Sequence, residues 1–190
     1  MRADAQKNYN HILAVARGVI AEQADASMRD IARRANVGLA TLLRHFPTRE
    51  ALFEALMCTD LDALTRTATD LETAPSAGTA LVSWVREWVA FAQSHKGVVA
   101  LMAAAHTDPA SALYAACAAV HAASARLLQH AQADGSARAD MDGDDLFALM
   151  TALGWAVDQP SFAARADRLV HLVTGAFLTC PSNPATTRTT

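Results

Sequence analysis

Residues 27–46 constrain this chain more than any other stretch. Ser-Met-Arg-Asp-Ile-Ala-Arg-Arg-Ala-Asn-Val-Gly-Leu-Ala-Thr-Leu-Leu-Arg-His-Phe reads as two short helices joined by a tight turn, with Pro47 directly after. The Ser27 hydroxyl can accept from the open amides of a first helical turn, and Asp30 stands where a capping box needs its acidic partner. A helix therefore starts near Met28. Its inward side is Met28, Ile31, Ala32 and Ala35, spaced as one helical face, while Arg29, Arg33 and Arg34 point elsewhere. Asn36 tolerates the left-handed backbone that closes a helix, Val37 plugs the corner, and Gly38 suits the tight geometry ahead of the second helix. In that helix Leu42 and Phe46 face the core, leaving Leu39, Ala40, Thr41, Leu43, Arg44 and His45 on outer or flanking surfaces. Pro47 stops it, Thr48 recaps, and Arg49 opens a helix expected to reach about Leu64, whose first amides suit a phosphate. The pair is a helix-turn-helix, an arrangement whose second helix enters the major groove of DNA.

The run Thr41-Leu42-Leu43-Arg44-His45-Phe46, then Pro47, Arg49, Glu50, Ala51 and Leu52, resembles the end of the DNA-binding part of the TetR family of transcriptional regulators. The resemblance extends back through Asn8 to Gln23, a helix with Ile12, Ala16, Val19 and Ile20 inward, and the loop from Ala24 to Ala26. It implies a DNA-binding unit of three N-terminal helices. Two positions depart from it: the family carries a tyrosine where this chain has Leu43 and a polar residue where it has Leu39. Leucines and Ala40 in a groove can touch thymine methyls or fill space, so hydrogen-bonded base reading falls to Arg44, Thr41 or His45. Ser27, Arg29, Gly38 and Arg49 are expected at phosphates, which position a protein without reading sequence, and Arg33 and Arg34 on a solvated face.

Charge divides the chain the same way. Residues 1–50 hold 8 Lys+Arg against 5 Asp+Glu, and residues 51–190 hold 8 against 14. A basic head on an acidic body suits an approach to phosphate with one end only. Alanine supplies 44 of 190 residues, isoleucine only three, and no run repeats with period two, so an all-α fold is expected throughout. Domains are read as 1–50 for DNA binding (helix-turn-helix 27–46), 51–180 for a helical effector-binding and dimerisation body, and 181–190 as a disordered tail.

No positive stretch followed by an apolar core opens the chain. His106, Asp108 and Pro109 interrupt its most apolar region, so neither a secretion signal nor a membrane span is expected, and a cytoplasmic protein is. Cys58, Cys117 and Cys180 lack any pairing pattern and are expected as buried small residues. His95, His106, His121 and His130 share no ligand spacing, so neither metal nor cofactor is expected.

Past a break at 73–78, helices are expected at about 79–94, 97–105, 111–133, 144–157 with Asp144 as cap, and 162–178, with loops at 134–143 and 158–161. Leu127-Leu128, Ala133-Asp134-Gly135, Arg138, Asp140 and Asp144-Asp145-Leu146 resemble the effector domain of the SbtR-like branch of the same family. That resemblance implies a homodimer joined by the last two helices, for which Leu146, Leu149, Met150, Leu153, Leu169, Leu172, Val173 and Ala176 are the candidates. It also implies a pocket for a small-molecule effector, for which Trp84, Trp88, Phe91, Met102, His106, Tyr114, His121 and Trp155 combine apolar bulk with polar tips. The whole implies a dimer on an inverted repeat of double-stranded DNA, released by effector as a repressor would be. Two other readings stay open: a helical interaction protein with weak nonspecific DNA binding, and an enzyme using His106, Asp108 or His121, for which no paired carboxylates, nucleophile motif or phosphate loop speaks.

Overall fold

Every regular element among the described residues of the computed structural model is an α-helix; the structure describes residues 2–23, 25–106, 108–111 and 113–179, without the side chains of 2, 3, 104 and 106. Two compact units emerge, Met1–Asp60 and Leu61–Thr190, divided inside a helix rather than at residue 50.

In the first unit α1 (Arg2–Glu22) precedes α2 (Met28–Arg34), α3 (Leu39–His45) and the start of α4 (Arg49–Leu71). α1 begins six residues before the expected Asn8, because Arg2 to Lys7 are good helix formers with no apolar rhythm to betray them. Ile12, Ala16 and Val19 of α1 bury against Ile31 and Ala32 of α2, Leu42 and Phe46, and Leu52 of α4. Side-chain bonds pin the frame: a His11 ring nitrogen lies 2.9 Å from the Ala35 carbonyl, and Arg17 pairs with Asp60 at 2.5 Å.

In the second unit α4 continues to Leu71, beyond the expected Leu64. Leu61, Leu64 and Ala68 give it a buried stripe, and the hydroxyls of Thr65, Thr67 and Thr69 donate back to carbonyls one turn earlier, satisfying residues with poor helix propensity. α5 (Ala77–Ser94) starts at a Ser76 cap that accepts from the Thr79 amide, and packs on α7 (Tyr114–Ala133), α8 (Gly143–Asp158) and α10 (Ala166–Phe177), while α6 (Val98–His106) lies on α7 and α8. Gly154 lets α8 come close, since a Cβ there would meet Val99 Cγ2 at 2.9 Å and Trp88 Nε1 at 3.2 Å. α7 closes on Gly135 at φ +78°, where a left-handed residue ends a helix.

Three expectations about the body change. Asp142, not Asp144, caps α8: its carboxylate accepts from the Asp145 amide at 2.9 Å, Asp145 answers at 3.1 Å, and Asp144 is left to pair with His121 at 2.9 Å. The expected loop at 158–161 and single last helix are instead a one-turn α9 (Pro160–Ala163), begun by proline at its first position, and α10. The chain then returns along the α7–α8 loop, with an isolated antiparallel bridge between Ala137 and Leu178 and the Thr179 amide donating to Ser136 at 2.9 Å. The tail expected to be disordered, 181–190, lies outside the described residues, as does Cys180; Cys117 is buried and Cys58 half-buried.

Candidate functional site

The helix-turn-helix is built from its caps inward. Ser27 Oγ accepts from the Asp30 amide at 3.2 Å while Asp30 accepts from the Ser27 amide at 3.4 Å and hydroxyl at 2.6 Å. These bonds, the hydroxyl's first, hold the Asp30 carboxyl below its usual range. The left-handed residue of the turn is Asn36, φ +52°, with the Val37 amide donating to Ala32 at 3.0 Å. Gly38 sits at φ −65° in ordinary extended backbone, so the turn does not require a glycine there, contrary to expectation; it caps α3 with no side-chain bond.

α3 presents a divided surface. Leu42 and Phe46 are buried, and Leu39 leans half-buried on the same core instead of facing outward. Ala40 and Arg44 are exposed, Leu43 is 37% exposed, and Thr41 is half-buried at the flank. His45 is half-buried at the α1–α3 corner: its ring lies 6.1 Å from Tyr9 and 6.2 Å from Phe46, with Nε2 buried and unpartnered, so the ring packs on the head where an outward base contact was expected.

The head's arginines separate equally clearly. Arg33 pairs with Asp30 at 3.0 Å and Arg34 with Glu22 at 2.6 Å, and the Arg34 contact lowers the Glu22 pKa below the usual carboxylate range. Arg49 donates to the Ala26 carbonyl and lies 5.0 Å over the Phe53 ring, tying α4 to the α1–α2 loop where a phosphate contact was expected. Arg29 and Arg44 are exposed, and no ion pair or hydrogen bond engages them among the described residues.

The body candidates fall into two groups. Trp84, Trp88 and Met102 are fully buried core. The Trp84 indole donates to Ser124 Oγ at 3.0 Å and the Trp88 indole to the Met150 carbonyl at 2.8 Å, so both polar tips are already satisfied. Phe91 stacks on Trp88 and, at 4.5 Å, on His95. His121 pairs with Asp144 and meets the edge of Phe147 at 5.1 Å. Tyr114 is on the surface, and the His106 side chain lies outside the described residues.

Trp155, 57% exposed, lines an open apolar groove of about 730 Å³ between α6 and α8 with Val99, Ala100, Ala103, Phe147, Ala148, Thr151, Ala152 and Ala156. Sequence reasoning missed all of these but Trp155. The signal was the four-residue spacing of Ala148, Ala152 and Ala156, which alanine abundance elsewhere masks.

Of the dimer candidates, Leu146, Met150 and Leu153 point into their own core, a correction that follows from α8 having its other side open. The open side carries Leu149 at 38% and Leu172 of α10 at 56% exposure, with Ala176 exposed and Leu169 and Val173 half-buried. No helix among the described residues is long and apolar enough to cross a membrane, and no group of three His, Cys, Asp or Glu among them could hold a metal ion.

A family model described as bacterial regulatory proteins, tetR family, matches residues 12–56, and one described as transcriptional regulator SbtR-like, C-terminal domain, matches residues 76–175. Among solved structures, the chain is similar to the TetR transcriptional regulator SCO0520 from Streptomyces coelicolor, at 30% identity and TM-score 0.66, covering 90% of this chain and 98% of that one. A TetR transcription regulatory protein from Mycobacterium vanbaalenii gives 31%, 0.66, 94% and 99%, and Salmonella enterica GusR 26%, 0.62, 89% and 94%, in the same order. No curated protein matches by sequence.

Proposed function

The chain belongs to the TetR family of bacterial transcriptional regulators, and from that premise we propose that it is a cytoplasmic repressor that binds an inverted-repeat operator as a symmetric dimer and is released by a small-molecule effector. The observation that carries the DNA half of this reading is the outward stripe of α3, with Arg44 unpaired beside Ala40 and Leu43, on a helix whose opposite side is locked into the head core. Two such helices related by a twofold axis meet successive major grooves when about 34 Å separates them. The unit ending at Asp60 serves as reading head and the unit from Leu61 as sensing body.

The open sides of α8 and α10 supply the dimer contact, with Leu149, Leu169, Leu172, Val173 and Ala176 meeting their copies. The groove beside Trp155 has the size and apolar lining of a small-molecule site and takes the effector, in place of the tryptophans that fill the core. A partner seated on α8 would lie beside that groove, because Ala148 lines both the groove and the hollow that holds Leu149 and Ala176, so an effector there favours one dimer geometry over another. Differential affinity of this kind gives couplings of ~1–3 kcal/mol, or about 5- to 150-fold in operator affinity. The output is operator occupancy, not catalysis.

A gel-shift titration on the DNA flanking the chain's own coding region, at two salt concentrations and against random DNA of equal length, tests this. Saturable binding that prefers the flanking DNA at both salts is expected; equal binding to both DNAs that vanishes with salt would favour a nonspecific interaction protein.

A further inference from the structure

α3 carries an unusually short list of groups that can reach a base pair. With Leu39 leaning on the head core and His45 packed between Tyr9 and Phe46, the outward stripe reduces to Ala40, Leu43 and Arg44, with Thr41 at its flank. These three stand at i, i+3 and i+4, one face of the helix, so they rise about 6 Å from first to last, less than two base-pair steps of roughly 3.4 Å. Only Arg44 on that stripe can donate to a base edge. It is held by no carboxylate, whereas Arg17, Arg33, Arg34 and Arg49 each hold an acidic or carbonyl partner. Leu43 is the large apolar side chain that this helix leaves open, beside a cation, in a head that buries its other α3 apolar anchors.

In the major groove the base feature that an exposed leucine and alanine can bury is the thymine C5-methyl, and the feature that a free guanidinium matches in two places at once is guanine O6 and N7. Resting on the operator-binding reading above, we infer that each half-site is read as one guanine by Arg44 and adjoining thymine methyls by Leu43 and Ala40, so that Leu43 is a specificity-determining residue. Sequence choice then depends on methyl groups as much as on hydrogen bonds. An operator half-site lacking thymines beside that guanine is not selected.

The test uses the full-length protein, an operator duplex selected from a random library, and fluorescence anisotropy. Thymines of one half-site are replaced singly by deoxyuridine, which removes only the methyl, and the guanine by 7-deazaguanine, which removes only N7. One or two deoxyuridines next to the guanine should each weaken binding about fourfold, the equivalent of ~0.8 kcal/mol for one buried methyl-sized group, and 7-deazaguanine several-fold. Deoxyuridine outside the half-site should have no effect. In Leu43→Ala the deoxyuridine penalty at one position should disappear while the guanine penalty remains; in Arg44→Ala the reverse, with overall operator affinity down at least tenfold and Arg33→Ala within twofold of wild type. Deoxyuridine at every half-site thymine binding as well as thymine overturns the inference, even if the operator is otherwise bound well. Failure of the library to yield any preferred sequence overturns the operator-binding reading itself.

Discussion

Ser124→Ala should destabilise the body although it removes a single oxygen. Trp84 and Ser124 are fully buried, 3.0 Å apart, and the serine hydroxyl donates to the Val120 carbonyl at 2.8 Å, which leaves an oxygen lone pair for the indole N–H. Alanine strips that acceptor and leaves the indole donor without a partner in a site closed to water. A buried unsatisfied donor costs ~1–3 kcal/mol. Against this, alanine's better helix propensity returns a few tenths of a kcal/mol, so the net loss is about 1–2 kcal/mol. Trp84→Phe removes the donor and also leaves a cavity, but in its background Ser124→Ala no longer orphans anything. The double-mutant cycle should therefore show a coupling of about 1–2 kcal/mol. Urea unfolding followed by far-ultraviolet circular dichroism, at one fixed protein concentration because a dimer's stability depends on it, reads all four corners. Additive losses, or a Ser124→Ala variant as stable as wild type, would mean that the indole is not fixed in the core and would restore Trp84 as a ligand contact.

Asn36→Val forces a β-branched residue to φ +52° and should cost about 1–2 kcal/mol in thermal unfolding, whereas Asn36→Gly should be near neutral; equal effects would deny the left-handed turn. Ser27→Ala removes the hydroxyl that most lowers the Asp30 pKa. Because that pKa is depressed in the fold, its contribution is present above the usual 3.8 and is lost as pH falls through the lower folded value; the melting difference between Ser27→Ala and wild type should be clear at pH 6 and narrow below 3.8. A gap that does not change with pH would show that Asp30 is not the partner. Leu172→Glu, on the open side of α10, should convert dimer to monomer in size-exclusion light scattering with the circular dichroism spectrum intact, while Leu146→Ala should cost ~2–5 kcal/mol of stability. A Leu172→Glu protein that stays dimeric would place the dimer contact elsewhere.

The caps and the turn of the head were readable from the chain, because their signals are local: a capping serine with its aspartate, an asparagine at the turn, a proline after the last buried phenylalanine. What the chain order hid there was tertiary. Arg49 spends its guanidinium on a carbonyl 23 residues away, and His45 turns its ring to Tyr9, neither of which a helical wheel can foresee. In the body, abundant alanine blurs the boundary between inward and outward faces, so that Leu146, Met150 and Leu153 shared a period with the truly open Leu149. Gly143 explains the misplaced cap: a Cβ there would stand 2.7 Å from Ala125 Cβ, so the helix starts at a glycine chosen by its neighbour in α7, one residue before the aspartate that local rules favour. The tryptophans looked like ligand contacts because bulk and a polar tip define both a pocket and a well-satisfied core, and only their partners, Ser124 and Met150, separate the two.

The placement of the three tryptophans, at 84, 88 and 155, also equips the protein with its own optical probe. None lies in the head, so ultraviolet emission excited at the red edge of absorption comes from the body alone, whatever the head is bound to. Two emitters are sealed in core and should glow at short wavelength, out of reach of acrylamide; Trp155 stands in solvent and should emit further red and be quenched. Occupation of the groove would then register as a change in the quenchable fraction, with no label attached and no DNA present.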